Sequence, residues 1–223
     1  MLTGLAVSVL AVGCGQGVPA RPQGRAARYG KPVALPAPAI DGPVSLEQAI
    51  ERRRSRRSFL PDPLPVAAIG QLLWAGQGIT SADGKRTAPS AGALYPLELY
   101  VVTSTDVMHY LPQGHRAEIR PGTGVRPALQ AAALGQAPVG AAPGIIVVAA
   151  VPARTQAKYG TRAGAFVELE AGHAAQNILL TAAARGLAAV PVGSFDQAQA
   201  AAALALPAGQ TVLYLIPVGL AST

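Results

Sequence analysis

One segment constrains the fold more than any other: residues 164–185, a run of about twenty residues rich in alanine, with Gly186 placed to stop it. Its apolar side chains fall on more than one side of a helix, and a helix of that kind is buried on several sides. In a chain of 223 residues this leaves two placements, through the middle of the molecule or along an interface between two copies. Half of the residues are hydrophobic but only 4% are aromatic, which implies helices packed closely around a modest sheet. The same scarcity of rings counts against a nucleic-acid binder that stacks bases on aromatic side chains.

The elements around that helix read as one folded unit over residues 44–223. Ser45-Leu46-Glu47-Gln48 is a capping box, so a helix starts there, with Leu46, Ala49 and Ile50 as its apolar face. Pro65 opens a second helix over residues 66–75, carrying Ile69, Leu72 and Leu73 and stopped by Gly76 and Gly78. Runs suited to strands lie at residues 97–103, 144–151, 187–192 and 212–218. Residues 78–85 and 113–126 read as variable loops that set specificity.

Ahead of this unit the chain changes character. Residues 5–12 are an apolar run too short to span a bilayer but long enough for the core of a signal peptide, and Gly13 and the lone Cys14 follow it. This resembles a bacterial lipoprotein cleavage site, with residues 1–14 removed up to a lipidated Cys14. A cell-envelope lipoprotein is one expectation and a cytoplasmic protein the other. Residues 15–43, rich in Gly, Pro and Ala, read as a tether or an arm that wraps a partner chain.

Arg52-Arg53-Arg54-Ser55-Arg56-Arg57 concentrates much of a formal charge of +7 in one place. Arginine presents a planar fork of donors that fits phosphate oxygens, so a phosphorylated ligand is the natural partner. His109, His115 and His173 lie on separate elements without ligand spacing, and no metal site is expected. Lys85-Arg86 reads as loop charge and His109-Tyr110 as strand filler.

Four segments resemble, in sequence and in order, the FMN-dependent nitroreductase superfamily. They are Arg53-Arg54-Ser55-Arg56-Arg57 with Phe59, Pro89 through Pro96, Glu170 through Asn177, and Pro191 through Asp196. The branch they look most similar to is that of the SagB-type dehydrogenases, which include azoline oxidases. The resemblance implies an α+β fold in three α/β/α layers, with a mixed central β-sheet flanked by helices, in a homodimer with FMN at the interface.

It also assigns residues. Arg53, Arg54, Ser55 and Arg57 would meet the FMN phosphate and ribityl chain, with Arg52 and Arg56 solvated. Pro89, Ser90, Ala91 and Gly92 would lie against the isoalloxazine, and Val192, Gly193 and Ser194 near its N5. Lys158 and Tyr159 match a catalytic pair that removes a proton while hydride passes to the flavin. His173, Gln176 and Asn177 would be buried hydrogen-bonders on an interface helix. Many relatives close on the phosphate with a basic residue near the C-terminus, whereas the last basic residue of this sequence is Arg185, so the resemblance leaves the phosphate to the N-terminal arginines, with Arg86 as a further candidate. The function implied is an oxidoreductase acting on a small or peptide-derived substrate. Its alternatives are an NAD(P)H-dependent nitro or quinone reductase and a lipid-anchored flavin-binding protein without turnover.

Overall fold

In the computed structural model, which describes residues 27–222, the chain forms a seven-stranded sheet covered by helices on both faces. Cys14 and the proposed cleavage site lie outside the described residues. The strands are β1 (Val33–Ala34), β2 (Leu97–Val102), β3 (Asp106–Leu111), β4 (Arg116–Pro121), β5 (Gly144–Ala150), β6 (Leu187–Ala189) and β7 (Thr211–Leu220). They lie in the order β1-β4-β3-β2-β5-β7-β6. The expected mixed sheet is antiparallel in every strand pairing, and parallel contact is confined to an isolated bridge between Ser55 and Ala189.

β5 shows why the layers form. Successive side chains of a strand point to opposite faces. Here Ile146, Val148 and Ala150 join one core while Ile145, Val147 and Ala149 join the other. A strand covered on both faces must be apolar throughout, which is how it reads in the sequence. α2 (Val66–Gln77) and α6 (Ala163–Ala184) cover the first face; α3 (Val125–Ala132) and α7 (Gln197–Ala203) cover the second.

β3 and β4 escape the sequence reading because polar residues interrupt them. Val107, Met108 and Tyr110 are buried, but His109 sits between them, and Arg116, Glu118 and Arg120 make β4 look like a loop. The expected variable loop at 113–126 is therefore largely β4 and the start of α3. The expected tether differs too. From residue 27 it lies on its own chain, with Gly30 N donating to Ile119 O, Leu35 N to His115 O, and β1 paired to β4. Ala39 exchanges two hydrogen bonds with the Gln71 side chain.

The capping box of α1 (Leu46–Arg52) is formed, Gln48 N donating to Ser45 Oγ and Ser45 N to Gln48 Oε1. Its apolar face is not buried as expected: Ala49 is, but Leu46 is 62% exposed and Ile50 55%. α6 is likewise covered on one side only. Val167, Ala171, Ala174, Ile178 and Ala182 are buried, while Ala165, Leu169, His173 and Gln176 form an exposed stripe. The expected buried roles of His173 and Gln176 do not hold within one chain, because both stand on that stripe; Asn177 is half-buried and donates to Thr87 O. No helix of the described residues is long and apolar enough to cross a membrane.

Ile178 joins α6 to α2 and the sheet: a Cβ on Gly76 of α2 would come within 3.0 Å of its Cδ1 and 2.9 Å of Leu99 Cδ1. Ile178→Ala is expected to lower unfolding free energy by about 2–5 kcal/mol in urea titration. A loss below about 1 kcal/mol would show that this contact does not hold the layers together.

Candidate functional site

Two groups of side chains suited to ligand chemistry lie towards opposite ends of α6. The first is the arginine run. After α1 the chain becomes extended and is fixed along the sheet, Arg53 N donating to Ala49 O, Arg56 N to Ala189 O and Leu60 N to Leu220 O. Alternation in an extended segment sends Arg53, Ser55 and Arg57 to one side and Arg54 and Arg56 to the other. Arg52, Arg54 and Arg56 accordingly line a 390 Å³ cleft against Leu179, Ala182 and Ala183 at the C-terminal end of α6. Arg54 also caps α1, its Nη1 donating to Glu51 O and Arg53 O. The structure thus sets Arg54 apart from Arg53, Ser55 and Arg57, with which the sequence grouped it. Among the described residues, the side chains of Arg52, Arg53, Arg56 and Arg57 have no hydrogen-bond or ion-pair partner.

Val192, Gly193 and Ser194 continue from β6 along the same edge. Val192 is buried and exchanges backbone hydrogen bonds with Leu215, Gly193 and Ser194 are exposed, and Ser194 O accepts from Gln136 Nε2.

The second group gathers where α5 (Ala153–Tyr159) leads into α6. Thr87 anchors the 87–95 loop to both helices: its N donates to Gly78 O, its Oγ1 to Trp74 O, and its O accepts from Asn177. Ser90 Oγ accepts from Tyr95 N and draws the loop tight. The turn holds Gly92 at φ 64°, Ala93 at φ 54° and Tyr95 at φ 46°. Left-handed backbone costs a non-glycine residue about 1–2 kcal/mol, so surrounding contacts must hold it. Those contacts are Arg154 Nη1 donating to Tyr95 O, at 3.0 Å, and the Arg86 guanidinium over the Tyr95 ring, at 4.4 Å.

Gly92 is where the predicted residues converge. A Cβ at this position would lie 3.0 Å from Lys158 Nζ and 3.0 Å from Tyr159 OH. Tyr159 in turn packs edge-on against Phe166 of α6, ring centroids 4.8 Å apart. The structure therefore joins Ser90 to Gly92 with Lys158 and Tyr159, and leaves the Lys158 side chain exposed. It does not join this group to the arginines: among the described residues no hydrogen bond or ion pair links the two. Phe166 and Ala182 are sixteen positions apart on one helix, about 24 Å along its axis.

Several functional candidates were missed in the sequence. Glu170 on α6 is 2% exposed beneath the loop, and its Oε1 has no partner. Burial pushes its carboxyl up to about 7, against the opposing pull of the Ser90 hydroxyl and Arg86. A periodic signal existed, because Glu170 shares the buried stripe of Val167, Ala171 and Ala174. Arg86 is not plain loop charge: it is half-buried and donates to Gln77 Oε1. Nor is His109 filler. Its Nε2 lies 2.7 Å from Glu98 Oε2, which also has Arg154 Nη2 2.6 Å from its other oxygen. Burial opposes ionisation of Glu98, but the His109 hydrogen bond and the Arg154 cation outweigh it and hold that carboxyl below its usual range.

A family model described as the nitroreductase family matches residues 50–220. A Methanocaldococcus jannaschii protein named as a nitroreductase is 36% identical over 182 residues, 79% of this chain and 91% of that one. The crystal structure of a protein named as a nitroreductase from Ralstonia eutropha has a TM-score of 0.78 at 28% identity, covering 89% of this chain and 94% of the other. The NADPH:FMN oxidoreductase of Vibrio harveyi shares the fold, with a TM-score of 0.61 at 23% identity over 80% of this chain and 69% of that one.

The buried Glu170 makes stability depend on pH. Its carboxyl titrates near 4.5 in the unfolded chain and at about 7 in the folded one. Between those values the folded state binds more protons, so this group's contribution to stability falls as pH rises from 4.5 to 7. Denaturant titrations across that window should show Glu170→Gln gaining on the wild type as pH increases. A constant difference would remove Glu170 as the titrating group.

Proposed function

This chain belongs to the nitroreductase family, a class of FMN-dependent oxidoreductases, and on that premise we propose that it is a SagB-type dehydrogenase working at an interface between two copies. The convergence of Gly92 with Lys158 and Tyr159, segments far apart in sequence, is the observation that carries the reading.

The residues present fit FMN. Its phosphate carries nearly two negative charges at neutral pH, and Arg53 and Arg57 are cations without a partner of their own among the described residues. Arg53, Ser55 and Arg57 would hold the phosphate end; Val192, Gly193 and Ser194 would hold the ring from the same chain. Gly92, Lys158 and Tyr159 would come from the second copy. The exposed stripe of α6 supports this arrangement, because a two-fold axis placed near Gly172 would set the N-terminal half of one α6 beside the C-terminal half of the other. Leu169, 59% exposed, and the uncovered Leu46 and Ile50 of the neighbouring α1 supply apolar surface for that contact.

When bound, FMN supplies a two-electron acceptor for hydride from a substrate carbon. Lys158 Nζ takes the accompanying proton, and Tyr159 OH orients or relays it. A second copy would also enclose Lys158, which is exposed within one chain. Under the second reading NAD(P)H delivers hydride and a nitro compound or quinone receives it, with no need for Lys158.

Lys158→Met should lower dehydrogenation by about 10²–10⁴-fold while leaving NADPH-driven nitroreduction within about threefold of wild type. Equal loss of both activities, or of neither, contradicts the division of roles. Leu169→Arg, which sets like charges against each other at the proposed two-fold contact, should yield a monomer on size-exclusion chromatography that has lost its yellow flavin absorbance. A yellow monomer would refute a site built from two copies.

A further inference from the structure

β2 and β3 are paired only through Tyr100–His109, Val101–Met108 and Val102–Val107. Beyond Tyr100 they part, although β2 stays on β5 as far as Leu97 and β3 stays on β4 as far as Leu111. Strands held on their outer sides and separated on their inner sides leave a cleft, here of 450 Å³. Leu94, Leu97, Leu99, Leu111 and Pro112 give it an apolar wall.

Arg86 also lines the cleft, and its guanidinium is only partly used. Nη1 donates to Gln77 Oε1 at 2.7 Å, and the Tyr95 ring covers one flat face. Nε is buried without an acceptor, Nη2 carries no bond, and Arg86 forms no ion pair among the described residues. Gln77, 1% exposed, likewise leaves Nε2 without an acceptor. The other charges of the cleft are engaged with one another, Glu98 with both Arg154 and His109. Glu170 makes no ion pair with Arg86 and, pushed up to about 7 by burial, is a poor counterion below that pH. A half-buried arginine whose Nη2 is neither bonded nor buried can donate a charge-assisted hydrogen bond to a carboxylate oxygen that enters the cleft.

We propose that this cleft is a recognition subsite for a monocarboxylate with an apolar body, the carboxylate on Nη2 of Arg86 and the body along the leucine wall. Phosphate lacks the apolar body that wall would cover. The cleft adjoins the proposed proton-transfer group, since Arg154 stands one turn before Lys158 on α5 and Tyr95 ends the loop that carries Gly92. The acid it holds is therefore the substrate of the proposed dehydrogenase. That last step rests on the dehydrogenase reading; the binding does not.

Calorimetric titration of the protein as purified, with 3-phenylpropionate and with its neutral amide, tests the subsite. The acid should bind at least about tenfold more tightly than the amide. Arg86→Gln should reduce the acid to the affinity of the amide, with circular dichroism showing that the variant is folded. Leu111→Glu, which adds a like charge to the wall, should weaken the acid by about tenfold and the amide much less. Equal binding of acid and amide, acid affinity unchanged in both variants, or displacement of the acid by equimolar inorganic phosphate would each overturn the proposal. A yellow protein that shows no preference for the acid sinks the subsite alone. A colourless protein that binds the acid sinks the flavin reading alone.

Discussion

The packing of α6 on the sheet governs the rest of the molecule. Its buried side meets α2 and the strands through alanines, Val167 and Ile178, and there is no spare volume at Gly76, where a single Cβ would strike both Ile178 and Leu99. That fit fixes the helix axis relative to the sheet. It thereby fixes what hangs at each end: Phe166 and Tyr159 at the start, and the cleft of Arg52, Arg54 and Arg56 at the finish. The same helix lends Asn177 to the loop at Thr87 and Glu170 to the space beneath Ser90. One rigid element thus positions both groups, and keeps them apart.

The loop at 87–95 shows how a tight anchor permits strained backbone. Thr87 is bonded to α2 and α6, Ser90 closes the turn on Tyr95, and Arg154 and Arg86 hold Tyr95 from opposite chemical sides, carbonyl and ring. With those contacts Ala93 and Tyr95 remain left-handed and Gly92 presents bare backbone beside Lys158 and Tyr159. Small size at Gly92 therefore serves a close approach as well as a dihedral angle. The same contacts explain why Arg86, a surface residue by its place in the sequence, is half-buried with its Nε unmet.

Charge is distributed in two styles. Around Glu98 the groups satisfy one another: Glu98 of β2 meets His109 of β3 and Arg154 of α5, and His109 also faces Glu118 of β4 and stacks on Tyr100. Along residues 52–57 they do not, and four of five arginines have no partner among the described residues. Surface cations left uncompensated at such density repel one another, so the arrangement is consistent with an anion that joins them.

The sequence by itself determined the elements whose signals are local. The capping box at Ser45 starts α1, the all-apolar run at 144–150 becomes a strand covered on both faces, and the alanine-rich segment becomes α6 to within one residue at each end. The candidate segments were legible as well, because glycine-rich loops and arginine runs are written consecutively. Only the tertiary structure decided how they combine. It set Arg54 on the other side of an extended segment, laid residues 30–35 along the β4 edge of the sheet, and brought Gly92 to Lys158 across 66 positions. It also gathered Glu98, His109 and Arg154 from three elements, and opened β2 from β3 beside Arg86. Local pattern reports which face of an element is apolar, since burial of that face is set by spacing along the chain. Which polar groups meet is set by how distant elements pack, and that information is not carried by any single window of sequence.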